Sequence, residues 1–262
     1  MIGFNALGKL GRLGNQMFQF AAVKGIARNR GVQFCVPPSE QKDEWNDHQL
    51  FIPFKLKNTT PLNVQYIDFG RPTVAEGVFH FNENLFNECP DWVSLQGFFQ
   101  SEKYFKHIKD ELRGDFTFND DILGPSLDAV NNLDSPISLH VRRTDYTTNP
   151  NHTALSLDYY QKALSAFPNG QVIVFSDDPK WCYEQSIFKD DRFLISENTN
   201  QYVDMCLMTL CKKHIIANSS FSWWGAWLSK SDHVIAPKGW FEGSNNAHLD
   251  TKDLIPDEWE TI

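Results

Sequence analysis

The sequence has little that would brace a fold from outside a core or draw it to a charged polymer. Its five cysteines, Cys35, Cys89, Cys182, Cys206 and Cys211, are odd in number and never form a CxxC pair. That excludes a disulfide framework and the usual zinc spacing, and leaves reduced, mostly buried thiols. Basic charge is scarce, with 24 Lys and Arg against 33 Asp and Glu, a net charge of -9 and a pI near 5.3. Nucleic acids and anionic membranes select a basic face, so no nucleic-acid partner is expected and any phosphate must be bound by a local site. No apolar run approaches the ~20 residues of a membrane span, and MIGFNALGKLGRLGNQ, residues 1–16, has no basic leader before its apolar stretch. The expectation is a cytoplasmic protein, compatible with peripheral association at the inner face of the membrane. GKLGRLGNQ, residues 8–16, contains neither GxGxxG nor a Walker serine or threonine after its lysine, which excludes a standard NAD or P-loop site.

What is present is an ordinary globular balance, 41% hydrophobic and 22% charged over 262 residues, enough for one or two domains. A short apolar run at 2–7, the glycine-spaced turn, a helical stretch over 15–29 and a second apolar run at 32–36 read as strand, loop, helix, strand. Prolines at 37, 38, 53, 61, 72 and 90 blur the period up to a strand over 92–99. Ser101 then caps a predicted helix running to Leu112. From Ser135 onward, strands at 136–141, 171–175, 193–195, 214–217 and 233–236 alternate with helices near 158–167, 179–187, 200–212 and 222–229. That alternation indicates a parallel sheet covered on both faces. Gly124, Pro125, Asn131, Asn132 and Asp134 cluster at a boundary between domains 1–130 and 131–262. The predicted fold is α/β, two Rossmann-like domains facing across a cleft, with ligands beyond the carboxyl ends of the strands.

The polar residues just after those strands are therefore the candidate site. In HVRRTDY, residues 140–146, strand alternation puts His140 and Arg142 on one face and Arg143 on the other. One guanidinium can then offer its planar fork to a diphosphate while its neighbour ties down the sheet; a surface ion pair with Asp145 is the plain alternative. Asp177 and Asp178 leave the next strand. They can be a helix cap, metal ligands, or acceptors for a base or ribose. Asp178 before Pro179 fits the cap, which leaves Asp177 for a guanine, and no second carboxylate cluster completes an octahedral metal site. Ser219, Ser220 and Ser222 line a turn before a helix expected to start near Ser222, where hydroxyls and free amides suit phosphate. The adjoining Trp223, Trp224 and Trp227 read as core. In the first half, Arg12, Asn15 and Gln16 offer polar contacts beside glycines that let backbone approach a ligand.

Taken together, GRLGNQMFQFA (11–21), LQGFFQSEKYF (95–105), HVRRTDY, VFSDDPKW (174–181) and DMCLMTLCKKHIIANSSFSWWGAWLS (204–229) resemble the α-1,2-fucosyltransferase family, the galactoside 2-L-fucosyltransferases. The resemblance spans nearly the whole chain and is weakest over 37–90. It implies a GT-B-type glycosyltransferase with an acceptor-side N-terminal domain and a GDP-fucose-binding C-terminal domain. It further implies inverting transfer of L-fucose to the 2-hydroxyl of a galactoside, with no required metal or cofactor. On that resemblance Arg142 is the diphosphate contact, and His140 with Asp177 or Asp178 lies near the guanosine. Ser219, Ser220, Phe221 and Ser222 form the phosphate turn, and Arg12 and Asn15 close over the donor. Asp145 is the nearest carboxylate for a base, with buttressing of the arginines as its other reading. The alternatives are a GDP-fucose transferase with an α-1,6 or protein O-fucosyl acceptor, or a sugar- or nucleotide-binding module without turnover. Oligomeric state is not legible.

Overall fold

The computed structural model describes residues 1–38, 47–197, 200–231 and 233–262. Packing divides the chain into two α/β units, Met1–Asn119 with Asp250–Pro256, and Asp120–Leu249 with Asp257–Ile262.

The first unit holds β1 (Ile2–Gly3), α1 (Leu13–Asn29), β2 (Phe34–Cys35), β3 (Thr73–Ala75), α2 (Glu83–Glu88), β4 (Val93–Gln96) and α3 (Lys109–Asp115). Its four strands are parallel in the order β2-β1-β4-β3. Helix α1 is buried almost all round, from Phe18 and Phe20 to Ile26, as suits a helix at the centre of a core rather than on its surface. Its one buried cation, Lys24, is paired with Asp115 and Glu111 of α3. The helix expected over 101–112 is broken instead into short 3-10 turns at Glu102–Tyr104 and Lys106–Ile108 before α3. Phe105, fully buried between the two turns, sits at φ -142°, ψ 3°, outside the helical region, and interrupts the run. Ser101 still caps, accepting from the Lys103 N–H at 3.3 Å.

The second unit holds α4 (Asp120–Val130), β5 (Ile137–Val141), α5 (Leu157–Ser165), β6 (Val172–Ser176), α6 (Pro179–Glu184), β7 (Phe193–Ile195), α7 (Gln201–Leu210), β8 (Lys213–Ile215), α8 (Ser220–Ser229), β9 (Val234–Ala236) and β10 (Glu260–Thr261). Its six strands are parallel in the order β10-β9-β8-β5-β6-β7. Period-two alternation sorts the two cores. Ile137, Leu139, Val141, Val172 and Val174 pack with Tyr160 and Ala163 of α5, while Ile173 and Phe175 pack with Leu207 and Met208 of α7. Trp223, Trp224 and Trp227 are core as expected, and Trp223 also meets Trp259 near the chain end. All five cysteines are free and buried.

The packing break at 119/120 lies ahead of the boundary expected near 130 because Gly124 and Pro125 sit inside α4 rather than in a linker. Asp120 and Asp121 favour its amino end, and Ile122 and Ser126 bury its inner face.

Candidate active site

In the second sheet the chain runs from β5 outward through β6 and β7, then returns to the other side of β5 for β8, β9 and β10. The gap between the carboxyl ends of β5 and β8 is thus a topological switch point, where crossover loops part and leave a crevice. His140 to Asp145 leave β5 there, and Asn218 to Ser222 follow β8.

Arg142 is fixed from three sides. Its Nη2 donates to Asp145, its Nη1 lies 3.2 Å from Asp177 Oδ2, and its guanidinium stands 5.3 Å from the Tyr146 ring centroid. Asp177 also accepts the Arg143 N–H at 2.8 Å, the Thr144 N–H at 3.1 Å and the Thr144 hydroxyl. The expectation that Asp177 stays free for a guanine is therefore corrected: strand pairing brings β6 beside β5, and the carboxylate is consumed in shaping the 142–144 turn. Asp178 does cap α6, accepting from Trp181 N–H at 3.1 Å. Arg143 takes the opposite face from His140, its Nε 3.5 Å from Asp178 and its guanidinium 3.8 Å from the Trp181 ring centroid. That stack locks β5 to α6.

His140 is buried against α8. Its Nδ1 lies 2.9 Å from Ser222 Oγ, and its ring sits 5.8 Å from that of Phe221. Burial first, then the charge of Arg142, pushes its pKa down to about 3, so the imidazole is neutral and offers one donor and one acceptor. Ser222 is turned inward to this histidine and to the Ala217 and Ser219 carbonyls. Its expected place in a phosphate turn is corrected on that ground: its hydroxyl positions His140. Helix α8 begins at Ser220, with Ser219 as its cap accepting from the Phe221 N–H at 3.3 Å. What the turn can offer an anion is the first-turn amides, which have no helical partner.

Sequence reasoning passed over two supports of this turn. Tyr146 donates to the Asn218 carbonyl at 3.1 Å, linking the loops after β5 and β8, and burial pushes its phenol up to about 12. Asn218 in turn donates to the Thr153 and Trp240 carbonyls, both at 2.9 Å. Only the tyrosine inside HVRRTDY carried a signal, as a polar aromatic just past a strand end.

The first sheet has its own switch point, between β1 and β4. The turn after β1 needs Gly11 at φ +83°, where a Cβ would run into Asn15. Arg12 is exposed at the start of α1, and Asn15 accepts from Gln100 Nε2 at 2.7 Å. Gln16, expected to face a ligand, is instead fully buried: its Oε1 accepts the Gln49 and Leu50 amides at 2.9 and 3.1 Å and pins the turn from beneath.

A family model described as glycosyl transferase family 11 matches residues 2–262. The chain belongs to glycosyl transferase family 11. As a family 11 member it is a glycosyltransferase. It is 34% identical to an alpha-1,2-colitosyltransferase of Escherichia coli over 96% of both chains. It is 27% identical to galactoside alpha-(1,2)-fucosyltransferase 1 of Bos taurus, over 86% of this chain and 66% of that one. Among solved structures, fucosyltransferase NodZ from Bradyrhizobium aligns over 81% of this chain and 88% of its own with a TM-score of 0.55 at 13% identity. That likeness establishes the shared fold, two α/β bodies with parallel sheets. Among the described residues, this family 11 chain has no group of three or more His, Cys, Asp or Glu able to hold a metal ion. No helix of the described residues is long and apolar enough to cross a membrane.

Proposed function

We propose that this chain transfers L-fucose from GDP-fucose, with inversion, to the 2-hydroxyl of a galactoside, and that it needs no metal to do so. The second unit binds the donor and the first unit the acceptor. The observation that carries the reading is Arg142, held by Asp145 and Asp177 at the switch point beside the amino end of α8.

In the transfer the acceptor oxygen bonds to the anomeric carbon while the bond from that carbon to the β-phosphate oxygen breaks. The electron pair leaves with GDP, and the reacting sugar passes through an oxocarbenium-like state. Negative charge therefore grows on the leaving diphosphate. A guanidinium whose carboxylate partners already fix its plane, together with the first-turn amides of α8, supplies positive potential without rearrangement at the moment of reaction. Neutral His140, oriented by Ser222, is placed to hydrogen-bond the nucleotide. Bond formation makes the acceptor oxygen a strongly acidic oxonium on the face opposite the leaving diphosphate, and its proton passes to water. Asp145, already paired with Arg142, buttresses the arginine. The setting that fits is the cytoplasmic side of a cell that decorates surface glycans.

The test is GDP release from GDP-fucose with and without lactose, in EDTA, followed by linkage analysis. Lactose-dependent release with fucose on the galactose 2-hydroxyl is expected. Activity that disappears in EDTA and returns with magnesium overturns the metal-free mechanism, and a 1,6-linked or peptide-linked product overturns the acceptor. The similarity to an alpha-1,2-colitosyltransferase favours a second reading of the donor alone, since colitose is L-fucose without its 3-hydroxyl. A higher kcat/KM with GDP-colitose than with GDP-fucose selects it.

A further inference from the structure

Away from the arginine site, the carboxyl ends of β3 and β4 carry an arrangement that the reaction above does not use. Glu76 follows β3 directly, and its side chain is turned inward, 7% exposed. Its Oε2 accepts the Phe98 N–H at 2.9 Å, and the Phe99 amide also reaches the carboxylate. Its Oε1 has no donor among the described residues, and burial pushes the group up to about 7. Gly97, at φ +156°, could not carry a side chain: a Cβ would lie 2.6 Å from that of Glu76. Its carbonyl accepts from Gln19 Nε2 at 3.2 Å.

Phe99 sits at φ +53°, a left-handed conformation that a bulky residue adopts only when its surroundings impose it. They do so here, because its ring is fully buried edge-on to Phe4 and Tyr104, with centroids 5.8 and 5.3 Å away. Anchoring Phe99 turns its neighbour outward, and Phe98 is 39% exposed. A large aromatic ring is thus held out from backbone fixed on both sides, beside the switch point of the first sheet, where α/β sheets receive ligands. Strained backbone of this kind clusters at active sites and ligand clamps.

We propose that Phe98 is the stacking platform for the acceptor sugar, and that Glu76 is the residue that positions it. The proposal rests on the galactoside reading above and adds which residues recognise it. The axial 4-hydroxyl of galactose leaves the C–H groups of carbons 3, 4 and 5 on one face of the ring. That apolar face suits a flat aromatic, with the sugar hydroxyls left to polar neighbours.

The experiment measures KM for lactose, kcat, and GDP affinity by calorimetry in Phe98→Ala, Phe98→Tyr, Glu76→Gln and the Phe98→Ala/Glu76→Gln double variant. Phe98→Ala should raise the lactose KM about tenfold, the worth of one ring-on-ring contact, with GDP affinity unchanged. Phe98→Tyr should stay near the parent. Glu76→Gln should raise the same KM by less, and adding it to Phe98→Ala should change nothing further, because Glu76 acts through the ring. A lactose KM within about twofold of the parent in Phe98→Ala overturns the platform. A loss of kcat in Glu76→Gln with KM intact overturns the positioning role and assigns the carboxylate to the reacting hydroxyl. Lactose binding read by saturation-transfer NMR tests the platform even if no GDP is released, which separates its failure from that of the proposed function.

Discussion

Arg142 is less a free cation than a bridge between two carboxylates, and that decides what can replace it. Lysine keeps the charge but has no fork with which to meet Asp145 and Asp177 together. Arg142→Lys is therefore expected to lose about 10²-fold in kcat, nearly as much as Arg142→Ala, with near-ultraviolet circular dichroism unchanged; near-normal turnover would remove the guanidinium from the reaction. Glu76 makes the opposite kind of prediction, about stability. Burial raises its pKa from 4.5 to about 7, so the folded chain holds this proton more tightly than the unfolded one. The fold is then favoured at low pH and loses that contribution as pH rises through 7. Glu76→Gln should stabilise by on the order of 2 kcal/mol at pH 8 and by little at pH 5, read by calorimetry at both. Destabilisation at pH 8 would mean that the carboxylate holds the 97–99 backbone more strongly than its burial opposes it. How legible these residues were follows from where their partners come from. The opposite faces of His140 and Arg143 and the cap at Asp178 depend on near neighbours and strand period, and the sequence carries both. The engagement of Asp177 and Ser222, and the place of Glu76, depend on β6, α8 and β3 being brought beside strands distant in the chain. No local pattern encodes that.

Among the elements, the strands of the second unit follow their apolar runs closely because each is a short buried stretch bounded by polar residues. Helix α4 was hidden, since Gly124 and Pro125 suggest a linker while its packing comes from α7. Helix α1 was legible, but its interior cation was not. Lys24 is wholly buried with Asp115, and Asn58 N–H also donates to that carboxylate at 2.7 Å. Removing one member leaves an uncompensated buried charge. Lys24→Met should cost about 3 to 5 kcal/mol, and adding Asp115→Leu should recover most of it, as read from urea unfolding midpoints. An unaffected single variant would show that water reaches the pair.

For the molecule as a whole, buried histidines set a lower limit of pH. His140 and His214 are both pushed down to about 3, chiefly by burial. Below the ordinary value of 6.5 the unfolded chain takes up protons that the folded chain refuses, so stability falls as pH falls. Each histidine contributes about 1.4 kcal/mol per pH unit between roughly 6 and 4. His214→Leu should remove about half of that slope, measured as the unfolding midpoint at pH 5 against pH 7; an unchanged slope would place the sensitivity elsewhere. The chain also changes unit after Asn119, after Leu249 and after Pro256. Its last six residues, 257–262, return to the second unit, where β10 pairs with β9 and the Lys238 N–H donates to the Ile262 carbonyl at 3.0 Å. Neither half is therefore a single stretch of sequence. A hybrid built by joining the front of one relative to the back of another would carry a foreign 250–256 strap into the first half. Recombination within this lineage should be tolerated only where that strap travels with the front it packs against.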